Sequence, residues 1–200
     1  MQKKEARKFL TMGNHKLGGK IASWSLPVRK EVCGRVCDGC YAAKAQRIYP
    51  AVLPSRDRKF DMSAKDSFVG LMVKAIETLD PNYIRIHDAG EFYSQKYVNK
   101  WESIVKKSPK YTFYAYTKRL KDFDFTGLKT LPNAIIIDSL HGGKINYGEK
   151  DKCSVGMFLC PDHKGSAERI IQPKDPICGT VCTYCMTKDA EKTGVFFVKH

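Results

Sequence analysis

The sequence predicts an α/β fold: a partial (open) βα barrel of parallel strands over residues 21–145, with a basic N-terminal arm at 1–20 before it and a Cys-rich irregular C-terminal segment at 146–200 after it. Three observations carry this expectation. Short β-rich runs alternate with amphipathic helical stripes, the pattern of parallel strands joined by right-handed crossovers. One run, AIIID at 134–138, is apolar until its last residue, which suits a strand buried on both faces. From His141 onward the periodicity gives way to Gly, Pro, charge and Cys. About four to six strands fit in the chain, too few for a closed eight-fold barrel, which takes typically about 250 residues.

The elements follow in order. Residues 1–20 are polar and basic and read as an irregular lead-in. Residues 21–28 (IASWSLPV) form a short strand closed by Pro27, and a cysteine loop follows directly. Residues 41–48 suit one or two helical turns, after which Pro50 and Pro54 are expected to break the chain. A helix is predicted over 63–79, capped by Ser63, with Phe68, Leu71, Met72, Ala75, Ile76 and Leu79 on one stripe. Residues 83–87 (YIRIH) form the next strand, and Asp88 to Glu91 the loop leaving it. Ser94 caps a second helix whose buried face holds Tyr97, Val98, Trp101, Ile104 and Val105. An aromatic strand at 111–116 (YTFYAY), a connector with a helical turn and the strand at 134–138 complete the core. Residues 195–198 (VFFV) offer one last strand. In parallel sheets function gathers at the C-terminal strand ends, so the Cys33 loop, the 88–91 loop and the 138–144 loop are expected on one edge.

Eight cysteines without an export signal point to metal or redox chemistry rather than a disulfide framework. Cys33, Cys37 and Cys40 place three thiols in eight residues, beside Gly34 and Gly39. Thiolates are soft ligands for iron–sulfur clusters or zinc. Structural zinc takes four ligands, so three thiols suit a [4Fe–4S] cluster with one iron open to a small molecule. The same spacing recurs at Cys178, Cys182 and Cys185. With Cys160 these make a four-thiol set for a second site, either another [4Fe–4S] cluster or zinc. Cys153 in place of Cys160, or one site shared by both triplets, remain open arrangements.

The net charge is +14, and residues 1–60 hold 14 Lys/Arg against 4 Asp/Glu. Such a field attracts nucleic acid or another polyanion. No run approaches the roughly 18 apolar residues of a membrane span. The basic N-terminus carries no secretory signal, so a cytoplasmic location is expected.

The triplet directly after a first strand resembles the cluster motif of radical S-adenosylmethionine enzymes. That resemblance implies that the open iron chelates S-adenosylmethionine and that a Gly-Glu loop after the second strand, here Ala89-Gly90-Glu91, meets its methionine amino group. It also implies an electron donor. Where those enzymes usually carry an aromatic residue before the third Cys, this sequence has Gly39. The run Cys40-Tyr41-Ala42 resembles the ending of that motif in spore photoproduct lyase and related phage proteins. Ser23-Trp24-Ser25-Leu26-Pro27, the segment from Arg85 to Gln95 (RIHDAGEFYSQ) and that from Phe113 to Lys118 (FYAYTK) resemble the phage gene-product-88-like iron–sulfur family, which implies a phage protein in a host cytoplasm.

His87 and Asp88 are the candidate acid–base pair beside the cluster, with salt bridging through Arg85 as the bland alternative. Gly90, Glu91, Asp138 and Ser139 are candidate cofactor-binding residues at strand ends. His141 and His163 are weaker candidates. Gly142-Gly143-Lys144 is too short for a phosphate loop. Two functions fit: a radical S-adenosylmethionine enzyme acting on a nucleic acid or nucleotide, or a non-enzymatic iron–sulfur or zinc protein that binds nucleic acid or a host protein.

Overall fold

A computed structural model describes residues 1–13, 20–34 and 40–139, together with 158–159, 188 and 195–196. The core is a five-stranded sheet in the order β1 (Thr11–Met12), β2 (Ile21–Ser25), β3 (Tyr83–Ala89), β4 (Thr112–Thr117) and β5 (Ala134–Asp138). β1 runs antiparallel to β2, and every later pairing is parallel. The described strands therefore form an open, mostly parallel sheet that does not close. Phe158–Leu159 (β6) and Val195–Phe196 (β7) pair separately in parallel. Apart from Lys188, the rest of the 146–200 segment lies outside the described residues.

The first 20 residues depart from the expected loose arm. Lys3–Phe9 is a helix, α1, and it leads straight into β1. Ala6 and Leu10 are fully buried and Phe9 is 8 % exposed, all in the main core. Three apolar side chains at i, i+3 and i+4 are enough to seat one helical face, a short stripe that the surrounding lysines obscure in the sequence.

The helix expected at 63–79 is two. α4 is Val52–Ala64 and α5 is Phe68–Leu79. Pro54 does not break α4, because it sits in the first turn where backbone N–H groups have no helical partner. Ser63 lies inside α4, where its hydroxyl engages Phe60 O at 2.6 Å and Tyr93 Oη at 2.8 Å. The C-terminal end of α4 is fixed by Lys100, whose buried Nζ donates to the carbonyls of Ser63, Ala64 and Lys65, each at 2.8 Å. Lys30–Cys33 (α2) and Tyr41–Ile48 (α3) flank the cysteine loop. Gln95–Lys107 (α6) is capped as expected by Ser94, which accepts from Tyr97 N. Thr126–Lys129 (α7) is the helical turn of the connector.

Strand alternation gives the sheet two faces. Ala22, Trp24, Ile84, Ile86, Phe113, Ala115, Ala134 and Ile136 face the helices in one core with Phe68, Met72, Ile76 and the buried face of α6. Trp24, Phe68 and Trp101 pack at ring separations of 5.3–6.3 Å. Ile21, Ser23, Ser25, Arg85, Tyr114, Tyr116, Ile135 and Ile137 take the other face. The 111–116 aromatics thus serve mainly as packing, since Phe113 is fully buried and Tyr114 nearly so.

Because α1 is part of the core, Phe9→Ala is expected to cost about 3 kcal/mol of unfolding free energy, the usual range for a buried Phe. Urea unfolding checks this. A loss below about 0.5 kcal/mol would restore the loose arm.

Candidate functional site

The parallel strands bring β2, β3, β4 and β5 to a common C-terminal edge, as expected. Between β2 and β3 the register slips there: Trp24 pairs with Ile86, but Ser25 pairs with Ala89. His87 and Asp88 are two extra residues in β3, a bulge that bends the strand and re-aims its side chains. His87 takes a positive φ of 64°, which L-residues adopt only at a cost. The strand continues through Ala89, so the loop expected from Asp88 begins at Gly90.

The bulge separates the two residues expected to work as a pair. His87 turns into the core, ringed by Phe92, Tyr97 and Trp101 at 4.6, 5.7 and 6.5 Å. Its Nε2 meets Tyr97 Oη at 3.0 Å, and Trp24 Nε1 donates to that same hydroxyl at 2.8 Å. Nδ1 is buried without a partner. Burial drives the His87 pKa down to about 3, so the imidazole is neutral. His87 is a core residue and not a partner of Asp88.

Asp88 turns to the opposite side. Ser25 donates to it closely and Ser23 at 3.4 Å. The Tyr41 hydroxyl donates to the Asp88 backbone carbonyl, tying α3 to the bulge. Arg85, Cys40 and Arg56 are the other polar groups around this hydroxyl, on a side chain that is 67 % exposed. Lys59, 5 % exposed on α4, places its Nζ 5.4 Å from the Trp24 ring. Desolvation lowers its pKa to about 8, although Asp88 opposes that shift.

Cys33 ends α2 and Cys40 precedes α3. Both are partly buried, and both pack on one small apolar cluster formed by Val28, Ala42 and Ala89. The bulge thus puts Ala89 into the cluster that both cysteines pack on. Gly34 closes α2 at φ +73°, and a Cβ there would lie 1.6 Å from Arg119 Nη1. The Arg119 guanidinium, ion-paired to Asp122 at 2.9 Å, therefore rests on the backbone next to Cys33. At Gly90, φ +83°, a Cβ would come within 2.5 Å of Leu26 Cβ. Only glycine lets the loop pass so close to the end of β2.

Glu91 is 9 % exposed. Thr117 Oγ1 donates to one of its oxygens at 2.7 Å and Lys118 N to the other at 3.0 Å. Burial pushes its carboxyl up and these donors pull it back. Glu91 is thus a brace between the β3 exit and β4, and each oxygen keeps a second lone pair. Asp138 is exposed at the end of β5, and Ser139 N donates to Thr117 O at 2.8 Å. Cys37, Cys160, Cys178, Cys182, Cys185, Cys153, His141, His163 and residues 142–144 lie outside the described residues. Among the described residues no three His, Cys, Asp or Glu side chains form a metal-sized group.

Sequence reasoning missed Lys59, Tyr41, Arg119 and the serines. Ser23 and Ser25 alternate on β2 and hence share a face, which was the available signal. Lys59 sits in a charged run, RDRK, with nothing to mark it as the buried member.

The family model for gene product 88 matches residues 2–189, nearly the whole chain. The chain belongs to the gene product 88 family. It is 28 % identical over 106 residues to the Gene 88 protein of Mycobacterium phage L5, a match covering 48 % of this chain and 43 % of that protein. The match thus spans less than half the length of that relative. No solved structure matches the chain significantly. No helix among the described residues is long and apolar enough to cross a membrane.

The buried His87 makes stability pH-dependent. Its folded pKa lies below its unfolded value, so the contribution is complete above about pH 6.5 and is lost as pH falls toward 3. Between pH 6.5 and 5 the wild type is expected to lose about 1–2 kcal/mol that His87→Asn retains, since Asn tolerates positive φ and does not titrate. Denaturant unfolding at each pH measures it. Parallel profiles for the two proteins would place His87 in water.

Proposed function

We propose that this protein is an iron–sulfur protein whose first [4Fe–4S] cluster is held by Cys33, Cys37 and Cys40, with one iron left open for S-adenosylmethionine. The convergence of Cys33 and Cys40 on the Val28–Ala42–Ala89 cluster, at the C-terminal end of the first parallel strand, is the observation that carries the reading. The donors fit: thiolates suit iron, and three of them fall short of a closed zinc site. The open α/β sheet is compatible with a partial barrel of the radical S-adenosylmethionine type. When bound, the cluster would supply an electron to S-adenosylmethionine for radical chemistry on a substrate.

The chain's own residues supply the surroundings. Ala89 packs beside both thiols, and Arg119 lies against Gly34. Glu91 keeps the Gly90 turn in place through β4, and its spare lone pairs are available to the cofactor's amino group. Asp88, held by Ser23 and Ser25, is the acid–base candidate on the open side, now without His87. Asp138 and Ser139 lie where a bound cofactor or substrate would extend toward β5. Cys160, Cys178, Cys182 and Cys185 form a second site, for a [4Fe–4S] cluster or zinc. The +14 charge favours a nucleic acid or nucleotide partner. Catalysis also needs an electron donor, and a phage protein of this kind would work in the host cytoplasm.

Two observations favour a second reading, a cluster protein that binds without catalysis. Both Glu91 oxygens already accept hydrogen bonds, and Gly39 stands where an aromatic residue would meet adenine.

Electron paramagnetic resonance on anaerobic, dithionite-reduced protein separates the two. A [4Fe–4S]⁺ signal that shifts on adding S-adenosylmethionine is the expected result. A signal indifferent to the cofactor would leave the binding reading in its place.

A further inference from the structure

The face of the sheet opposite α5 and α6 carries a cation that the cluster assignment does not use. Arg85 lies between Ile84 and Ile86, which both point into the helical core, so its side chain takes the other face. In register it neighbours Ser23 on β2 and Tyr114 on β4. Its guanidinium lies 5.9 Å from the Tyr116 ring, and Tyr114 and Tyr116 meet edge to face at 6.4 Å.

Arg85 stands apart from the other arginines near the thiols. Arg29 pairs with Asp57, Arg119 pairs with Asp122, and Arg56 donates to Ala42 O and Gln46 Oε1. Arg85 Nε is buried without a hydrogen-bond partner, and no ion pair to Arg85 forms among the described residues. The carboxylate in its electrostatic surroundings, Asp88, is taken by the two serine hydroxyls. An arginine carries five N–H donors in a planar fork. Leaving such donors unmet away from water costs free energy. Here the unmet donor is Nε–H, so the fork is incompletely paired and can take an acceptor from a ligand.

We propose that Arg85, walled by Tyr114 and Tyr116, anchors an oxyanion, a carboxylate or a phosphate, of a small ligand bound on this face of the sheet. The planar fork matches either group through two parallel N–H···O bonds. The flanking aromatic rings suit a ligand with a flat or apolar body beside its anionic group. The site lies on the same edge as the thiols, yet it needs no cluster, so its failure and that of the iron–sulfur reading are read by different experiments.

Thermal unfolding of the purified full chain, at constant ionic strength, tests this with sodium phosphate and sodium acetate as separate probes. The wild type is expected to gain a saturable rise in midpoint with one of them. A rise with phosphate identifies a phosphate site, and a rise with acetate a carboxylate site. Arg85→Met is expected to unfold at a higher temperature than wild type without probe, because the buried unmet Nε–H is gone, and to show no saturable rise. Arg85→Lys keeps the charge but loses the fork and should bind roughly tenfold more weakly. Three outcomes would overturn the proposal: Arg85→Met folds less stably than wild type or not at all, it keeps the full probe response, or neither probe moves the wild type.

Discussion

Two residues inserted into β3, opposite the Trp24–Ser25 bond, organise the whole C-terminal edge of the sheet. In unbroken alternation His87 would follow Arg85 onto the face opposite α5 and α6. With the insertion His87 turns inward to Tyr97, Asp88 turns outward to Ser23 and Ser25, and Ala89 is delivered to the two cysteines. The bulge is costly, with a positive φ on a histidine and a buried Nδ1 that has no partner. Conformations of this kind cost on the order of 1–3 kcal/mol and persist where the surroundings over-determine them. Here the surroundings are the aromatic cage of His87 on one side and the serine–aspartate bonds on the other. Gly90 then clears Leu26, and Glu91 ties the exit to β4.

The electrostatics of that edge follow from the same geometry. Lys59 and Arg85 share the field of one carboxylate, Asp88, that is already hydrogen-bonded to serines, while Arg119 pairs with Asp122. A surplus of cations in a poorly solvated place is unfavourable for the fold alone. It suits a region that receives negative charge, whether from thiolates holding iron or from a ligand's oxyanion. Lys59 shows the strain directly, since desolvation brings its pKa down to about 8. Fold and proposed function thus meet at one edge, where local stability gives way to charge placement.

Much of this was legible in the sequence. The faces of α5 and α6 were, because helical spacing and core packing agree there, as were β5 and the Ser94 cap. The proximity of Cys33, Cys40 and the end of β3 at Ala89 followed from strand order, since parallel strands end together. The bulge was not legible: RIHDAGE alternates well enough to suggest a plain strand and loop, and only the pairing with β2 reveals the slip. That single slip is why His87 and Asp88, neighbours in sequence, do not act together. α1 was hidden because three apolar side chains among lysines leave a weak stripe, and Pro54 misled because its position in the first turn depends on where α4 begins. Lys59 and Arg119 owe their roles to contacts distant in sequence, which no local pattern records.

The most direct measurement is the iron, acid-labile sulfide and zinc content of the anaerobically purified protein, wild type against a Cys33→Ala/Cys40→Ala double variant. The expected result is iron and sulfide in equal amounts in the wild type, with one cluster's worth of both lost in the double variant and any second-site metal retained. Unchanged iron in the double variant, or zinc in place of iron at this site, would contradict a cluster at the end of β2.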